Sequence, residues 1–216
     1  MVEKFHTELD KLQEDVLEMG YLARDMLQKS IEALKNQDKR LAQALIENKI
    51  RIADMDDDIE QEALRLIALY QPMARDLRTI ACVFKMITNF ERIGRYGKDI
   101  ATIAVELFDS PHIGNLLSIP HMSEMVCDMI ASDLKAYESG DISYIHDLSR
   151  KDDDVDALRY SVFRECITYM MEDPKNITSC TDYVMIARYL ERCGDHACKI
   201  GEKVHYMITG ERIEIK

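Results

Sequence analysis

Apolar side chains recur every three or four positions along the first thirty residues of the chain. They form a seam, spaced alternately four and three residues apart, at Phe5, Leu9, Leu12, Val16, Met19, Ala23, Met26 and Ser30. A period near 3.5 residues places these side chains along one face of an α-helix. A long helix with a narrow apolar face packs nearly parallel or antiparallel to its neighbours, so the pattern predicts a bundle of long helices.

The same spacing continues along the rest of the chain between a small number of breaks. Only 8 Gly and 4 Pro interrupt the 216 residues, which favours long helices over short strands and turns. Breaks fall at a polar turn over 36–38 and before Pro72 and Pro174, because the residue before a proline avoids the helical region. We predict six helices and no strand: one ending before residue 36, one ending near 70, and four over about 73–108, 121–139, 141–172 and 176–209.

Short motifs occur twice in the chain, about 100 residues apart. The pairs are Ala33–Asp38 with Ala136–Asp141 at an offset of 103, Asp54–Asp58 with Asp152–Asp156 at 98, and Glu91–Gly94 with Glu191–Gly194 at 100. A segment with two prolines and a glycine separates the two copies. The sequence therefore predicts an all-α fold of two tandem, pseudo-twofold-related three-helix bundles, with the first at 1–110, a linker at 111–120 and the second at 121–216.

The chain is acidic, with 40 Asp and Glu against 28 Lys and Arg, a formal charge of −12. This field repels nucleic acids and favours cations or basic protein surfaces. A hydrophobic fraction of 47% and a charged fraction of 31% exclude a disordered chain and a membrane protein. The first residues lack the apolar stretch of a signal peptide, and the six cysteines form no Cys-x-x-Cys pair. We therefore expect a cytoplasmic protein with buried thiols.

Each repeat carries two aspartates one helical turn apart on its second helix. These are Asp54 and Asp58 in the first repeat and Asp152 and Asp156 in the second. Like charges at this spacing repel one another unless a cation offsets them. A solvated charged face would explain either pair taken alone.

The third helix of each repeat adds further carboxylates. The apolar spacing of the third helix of the chain leads onto Glu91, and a carboxylate facing a core is unfavourable unless it is paired or metal-bound. Glu191 and Asp195 lie one turn apart on the sixth helix. Gly94 and Gly194 follow their glutamates in mid-helix, where glycine costs about 0.8–1 kcal/mol relative to alanine, so we expect a neighbouring helix to approach closely there. Oxygen ligands of this kind suit Mg²⁺, Mn²⁺, Ca²⁺ or iron.

Four of these motifs resemble a known family. The stretches Glu91–Gly94 and Leu190–Ala197 resemble the paired Glu-Arg-Ile-Gly-Asp-x-Ala signatures of the PhoU family of phosphate-uptake regulators. Residues 72–78 resemble that family's Pro-x-x-x-Asp-Leu-Arg motif, and both aspartate pairs fall where the family has Asp-x-x-x-Asp. The resemblance extends over nearly the whole chain, including its length and its duplication.

The resemblance implies two three-helix bundles, each with an acidic surface that holds a metal ion or a multinuclear cluster in some members. The ligands implied here are Asp54, Asp58, Glu91 and Asp99 in the first repeat, and Asp152, Asp156, Glu191 and Asp195 in the second. It further implies a cytoplasmic, usually dimeric regulator without enzymatic activity. Such a regulator acts with the ATP-binding subunit of the phosphate transporter and with the phosphate-sensing histidine kinase, and dampens both when phosphate is plentiful.

The two repeats differ at the motif itself. Arg95 stands where the family motif has aspartate, and Asp99 follows one turn later. The second repeat keeps Glu191 and Asp195. Because a guanidinium repels a metal ion and competes for its ligands, we expect Arg95 to pair with Glu91 or Asp54. The second repeat should therefore bind a cation more tightly than the first.

Two other functions are compatible with a carboxylate-rich helical bundle. One is a di-metal carboxylate enzyme, such as an oxidase or a phosphate-ester hydrolase, although the chain lacks the paired Glu-x-x-His motifs of ferritin-like proteins. It also lacks a phosphate-binding loop and a nucleophile motif. The other is a structural helical scaffold without a metal.

Overall fold

The computed structural model describes residues 2–215, without the side chains of Val2 and Asn115. Over this range the chain forms six long α-helices and no strand, and 88% of it is helical. The helices are α1 (Val2–Asn36), α2 (Lys39–Tyr70), α3 (Ala74–Glu106), α4 (Ile119–Ser139), α5 (Leu148–Glu172) and α6 (Ile177–Thr209). Single-turn 3₁₀ helices lie at Gly114–Leu116, Ile142–Ile145 and Pro174–Asn176. The predicted all-α fold with six helices is confirmed.

The helix ends follow from local side-chain chemistry. The carboxylate of Asp38 accepts hydrogen bonds from the backbone N–H groups of Arg40 and Leu41, each at 3.0 Å, and so caps α2. Gly140 ends α4 with φ of 70°, and Gly210 ends α6 with φ of 81°, a conformation that glycine adopts without strain. These polar and glycine residues are the breaks that the sequence predicts.

The fifth helix begins later than predicted. The chain forms a short 3₁₀ turn after Asp141, whose carboxylate accepts a hydrogen bond from the backbone N–H of Ser143 at 2.9 Å. The α-helix starts only at Leu148, not near residue 141. The fourth helix begins two residues earlier than predicted, at Ile119, because Pro120 fits the first turn of a helix.

The two repeats share one apolar core. Within each repeat α2 packs on α1 and α3, and α5 packs on α4 and α6, while α3 meets α6 and α1 meets α4 across the repeats. The four central helices are therefore α1, α3, α4 and α6, and α2 and α5 flank them. The seam of α1 is completely buried at Leu12, Val16, Met19 and Met26. A Cβ on Gly97 would lie 3.0 Å from the backbone nitrogen of Leu27, so α3 lies directly against the backbone of α1.

The segment between the repeats is tied to both of them. The hydroxyl of Tyr183 on α6 accepts a hydrogen bond from the backbone N–H of Ile113 at 3.3 Å and lies 3.2 Å from Nδ1 of His112. Gln37 donates to the carbonyl of Ser110 at 2.7 Å. Within residues 2–215 no helix has the length and apolar character needed to cross a membrane.

Candidate functional site

The acidic surface of the second repeat lies where α5 crosses α6. A Cβ on Gly194 would lie 3.1 Å from Oδ1 of Asp152, so the glycine makes room for this carboxylate. In the first repeat, a Cβ on Gly94 would collide with Cδ1 of Ile52 on α2. Both signature glycines therefore mark a close approach of the neighbouring helix, as their sequence positions predict.

Asp152 has the most perturbed carboxyl group on this surface. Its pKa is raised to about 6, chiefly by burial and then by the charges of Asp195 and Asp156. A hydrogen bond with the thiol of Cys198 offsets part of this increase. Two of the other predicted ligands of the second repeat are thus close enough to Asp152 for their charges to act on it.

Arginines surround the fourth predicted ligand, Glu191. Its Oε1 lies 2.9 Å from Nη1 of Arg188 and 4.0 Å from Nε of Arg159, and its Oε2 lies 3.9 Å from Nε of Arg192. Burial nevertheless raises the pKa of Glu191, because the side chain is only 12% exposed. Oε2 has no hydrogen-bond partner among the described residues. Arg192 also donates to Asp195 at 3.0 Å.

A cavity of about 450 Å³ opens beside these carboxylates. It is lined by Asn89, Asp152, Arg192, Asp195, His196, Cys198, Lys199 and Ile215. Nδ1 of His196 lies 2.8 Å from Oδ1 of Asn89 on α3, and its ring lies 6.0 Å from that of Tyr96. His196 therefore joins the two repeats, and its burial lowers its pKa.

In the first repeat another aspartate of α2 lies near Glu91. The charge of Glu91 raises the pKa of Asp56, in addition to the larger effect of burial. Oδ1 of Asp56 is buried and has no hydrogen-bond partner within residues 2–215. Asp54 and Asp58 are exposed. Asp58 lines a separate cavity beside Asp15 of α1.

The repeat offset explains why sequence reasoning missed Asp56. Gly94 faces Ile52, and Gly194 faces Asp152, so α2 and α5 correspond at an offset of 100. Aligning the aspartate-rich motifs of the two repeats by residue type gives an offset of 98, which pairs Asp54 with Asp152. The two glycine motifs are 100 residues apart. The same offset applied to α2 and α5 aligns Asp56 with Asp156.

The other two predicted features of the first repeat concern Arg95 and Asp99. Nη2 of Arg95 lies 2.7 Å from Oε1 of Glu91, which confirms the predicted ion pair. Asp99 lies 3.0 Å from Nζ of Lys98, and its charge raises the pKa of Tyr189 on α6, although burial is the larger cause. Asp99 therefore lies near α6, at the contact between the repeats.

Arginines compete with a cation for the signature glutamate of both repeats, Glu91 and Glu191. In the second repeat the charges of Asp156 and Asp195 act on Asp152, while three arginines surround Glu191. In the first repeat Arg95 already neutralises Glu91. Across residues 2–215, however, no three His, Cys, Asp or Glu side chains converge closely enough to hold a metal ion. Metal binding at the predicted ligands therefore stays a prediction.

A further carboxyl group near this surface was not predicted. Asp133 of α4 is 0% exposed, and neither of its oxygens has a hydrogen-bond partner in the described part of the chain. Burial raises its pKa well above the ordinary value, and Lys151 offsets this only partly. A Cβ on Gly201 would lie 3.0 Å from Oδ1 of Asp133. No local pattern marks this position, because its burial results from the packing of α4 against α6.

Comparison with known proteins places this arrangement in a family. A sequence model described as the PhoU domain matches residues 16–104 and 119–204. A "Phosphate-specific transport system accessory protein PhoU homolog" of Clostridium acetobutylicum is 34% identical over 212 residues, which cover 98% of this chain and 97% of that protein. The homolog of the same description from Rhizobium meliloti is 37% identical, with 95% of this chain and 87% of that protein covered.

Solved structures have the same fold. The crystal structure of PhoU from Pseudomonas aeruginosa superposes with a TM-score of 0.90 at 32% identity, covering 96% of this chain and 100% of that one. A phosphate transport system regulatory protein PhoU from Streptococcus pneumoniae superposes with a TM-score of 0.88 at 28% identity, covering 97% and 99%. Both halves of the chain match the domain, and the relatives align over nearly their full length. The chain belongs to the PhoU family.

Proposed function

We propose that this protein is an accessory protein of a phosphate transport system that lowers phosphate uptake and phosphate-starvation signalling. The observation that carries this proposal is the alignment with a named phosphate transport accessory protein over 98% of this chain and 97% of that relative. A match of this extent includes both repeats and the contact between them. The proposal therefore concerns the whole molecule and not one shared domain.

The proposed mode of action is that of an adaptor without enzymatic activity on the cytoplasmic side of the membrane. It would contact the ATP-binding subunit of the phosphate transporter and the phosphate-sensing histidine kinase. The exposed carboxylates of α5, at Asp153, Asp154 and Asp156, support this mode because they offer an acidic surface to basic partner surfaces. They lie on a flanking helix, which a partner can reach without disturbing the shared core.

The second repeat is the proposed cation site. Asp152, Asp156, Glu191 and Asp195 would hold Mg²⁺, Mn²⁺, Ca²⁺ or iron, as a single ion or a cluster. A bound cation would supply the positive charge that offsets the repulsion among these carboxylates. Arg192 contacts both Glu191 and Asp195, so it competes with the cation for these two side chains.

Deletion of the gene in the organism that encodes it tests the proposed regulatory function. In phosphate-replete medium we expect phosphate uptake and a phosphate-starvation reporter to rise, and the wild-type gene to restore both. A triple variant carrying Asp153→Lys, Asp154→Lys and Asp156→Lys should fail to restore them. A matched variant with Glu32→Lys, Glu47→Lys and Glu60→Lys, three exposed acids outside this surface, should restore them. Unchanged uptake and reporter activity in the deletion strain would overturn the proposal.

A further inference from the structure

A pocket in the groove between α3 and α6 is lined by cationic side chains from three parts of the chain. Lys85 belongs to α3, Lys203 belongs to α6, and Arg212 belongs to the C-terminal segment that follows α6. The pocket has a volume of about 320 Å³, at the lower end of the range for small-molecule sites. We call it the α3–α6 pocket.

The ring of Tyr206, which lines this pocket, contacts two guanidinium groups. Cζ of Arg212 lies 5.3 Å from the centroid of the Tyr206 ring, and Cζ of Arg78 lies 5.7 Å from it. Arg78 also donates to the carbonyl of Met207 at 3.4 Å. These cation–π contacts restrict the position of both arginines.

Several of the cations around Tyr206 are not engaged in ion pairs. No carboxylate within residues 2–215 forms an ion pair with Arg78, Lys85 or Arg212. The chain nevertheless has 40 acidic residues against 28 basic ones, so acidic partners are in excess. A group of unpaired cations is unfavourable because like charges repel, and a bound anion would relieve the repulsion.

The carboxylate in the pocket, Glu202, does not cancel this charge. Its Oε1 accepts hydrogen bonds from Nζ of Lys199 at 2.8 Å and from the backbone N–H of Ile215 at 3.2 Å. Its Oε2 lies 3.6 Å from Nζ of Lys203. Two lysines and one backbone donor therefore already surround Glu202, whereas Lys85 and Arg212 line the pocket without an ion pair to it.

We propose that the α3–α6 pocket binds a small anion that carries a dianionic phosphoryl group. The planar fork of a guanidinium matches the spacing of phosphoryl oxygens, and lysine ammonium groups add point charges that are not restricted to one geometry. Free phosphate and the phosphoryl group of a nucleotide share this chemistry. The inference does not depend on the proposed regulatory function, because it concerns only the purified chain and its ligand.

Binding in this pocket would connect three elements of the structure. The ligand would contact α3 through Lys85, α6 through Lys203 and the C-terminal segment through Arg212. Because an anion that binds only the folded arrangement stabilises it, the melting temperature should rise with ligand concentration.

Calorimetric titration of the full chain with inorganic phosphate and, separately, with AMP tests the proposal. Lys85→Gln and Arg212→Gln should each weaken binding about tenfold, the loss expected for one charge-assisted hydrogen bond. The matched controls are Lys49→Gln and Arg40→Gln, which remove the same charges from exposed positions on α2. They should bind as the wild type does. If Arg212→Gln fails to fold, Lys85→Gln gives the same test from α3.

The two ligands distinguish the possible sources of the phosphoryl group. Saturable binding of phosphate with no tighter binding of AMP supports free phosphate, and binding of AMP more than tenfold tighter supports a nucleotide. The proposal is overturned if neither ligand binds saturably at millimolar concentration. It is also overturned if the pocket variants bind as the wild type does, or if the α2 controls lose as much affinity as the pocket variants.

Discussion

Asp133 shows how strongly one buried side chain can couple stability to pH. Its carboxyl group is 0% exposed, and burial raises its pKa well above that of the unfolded chain. The folded state therefore keeps a proton that the unfolded state releases. The contribution of Asp133 to the free energy of unfolding is fully present below about pH 4, near the pKa of the unfolded chain. It is lost as the pH rises through the pKa of the folded state.

We predict that Asp133→Asn reduces this dependence on pH. One such group contributes a slope of up to about 1.4 kcal/mol per pH unit, and the amide cannot ionise. Urea unfolding between pH 4 and pH 8 measures the slope for both proteins. Asp153→Asn, a change at an exposed position on α5, should leave the slope as in the wild type. Equal slopes for wild type and Asp133→Asn would contradict the prediction.

A second prediction at the residue scale concerns the difference between the two acidic surfaces. Asp195→Asn should weaken cation binding sharply, because it removes the negative charge of a predicted ligand that lies near Asp152 in the second repeat. Arg95→Asp should improve binding in the first repeat, because it removes the guanidinium that pairs with Glu91 and adds a carboxylate. Calorimetry with Mg²⁺, Mn²⁺ and Fe²⁺ measures both changes. Two equal sites in the wild type, or none, would show that the asymmetry argument is wrong.

At the scale of the elements, the crossing of α2 and α3 depends on Gly94. An added Cβ would collide with Cδ1 of Ile52, whereas Cγ2 and Cγ1 of the same side chain lie at 3.4 and 3.5 Å, which leaves them in near-ordinary contact. The steric conflict is thus confined to a single methyl group, which makes it open to a direct test.

We predict that Gly94→Ala destabilises the protein by about 1–3 kcal/mol, the usual range for an overpacked core. Ile52→Val alone should cost about 0.5–1.5 kcal/mol. The double variant should be no less stable than Ile52→Val, because valine lacks the colliding Cδ1. Denaturant unfolding of the four proteins gives the coupling energy. Additive effects of the two substitutions would argue against this packing.

At the scale of the whole molecule, the structure limits which surface can form a dimer. The apolar seam of α1 is buried inside the protomer at Leu12, Val16, Met19 and Met26. It is not available to a second copy. Family resemblance remains as support, together with an exposed apolar row on α5 at Tyr160, Phe163, Ile167 and Met171. These residues recur at helical spacing, so they lie on one face.

We predict that the protein sediments as a dimer at micromolar concentration. If α5 forms the contact, Phe163→Glu should shift the equilibrium toward the monomer, because it places a charge within the apolar row. Ile50→Glu, a change of the same kind at an exposed position on α2, should not. Sedimentation equilibrium measures all three proteins. A wild type that is monomeric throughout would contradict the prediction.

The sequence by itself determined the helices and most of their ends. Three local features are the 3.5-residue period of α1, the capping carboxylate of Asp38 and the terminal glycine Gly210. Each acts within one or two turns of the chain, so it can be identified from the sequence without tertiary contacts. The duplication and the ion pair of Arg95 with Glu91 are likewise local, because side chains four residues apart share a helix face. The beginning of α5 was missed because a 3₁₀ turn and an α-helix start with the same residue types.

Only the tertiary structure decided which carboxylates face one another. Asp54, Asp56 and Asp58 all lie on α2, and the rotation of α2 against α3 brings Asp56 close enough to Glu91 for the charge of Glu91 to raise the pKa of Asp56. That rotation depends on where Gly94 receives Ile52, a contact between helices that are far apart in the chain. The burial of Asp133 likewise arises from α4 packing on α6. Helical periodicity specifies the face of a side chain on its own helix, whereas its neighbours depend on the axial offset between helices, which many contacts set together.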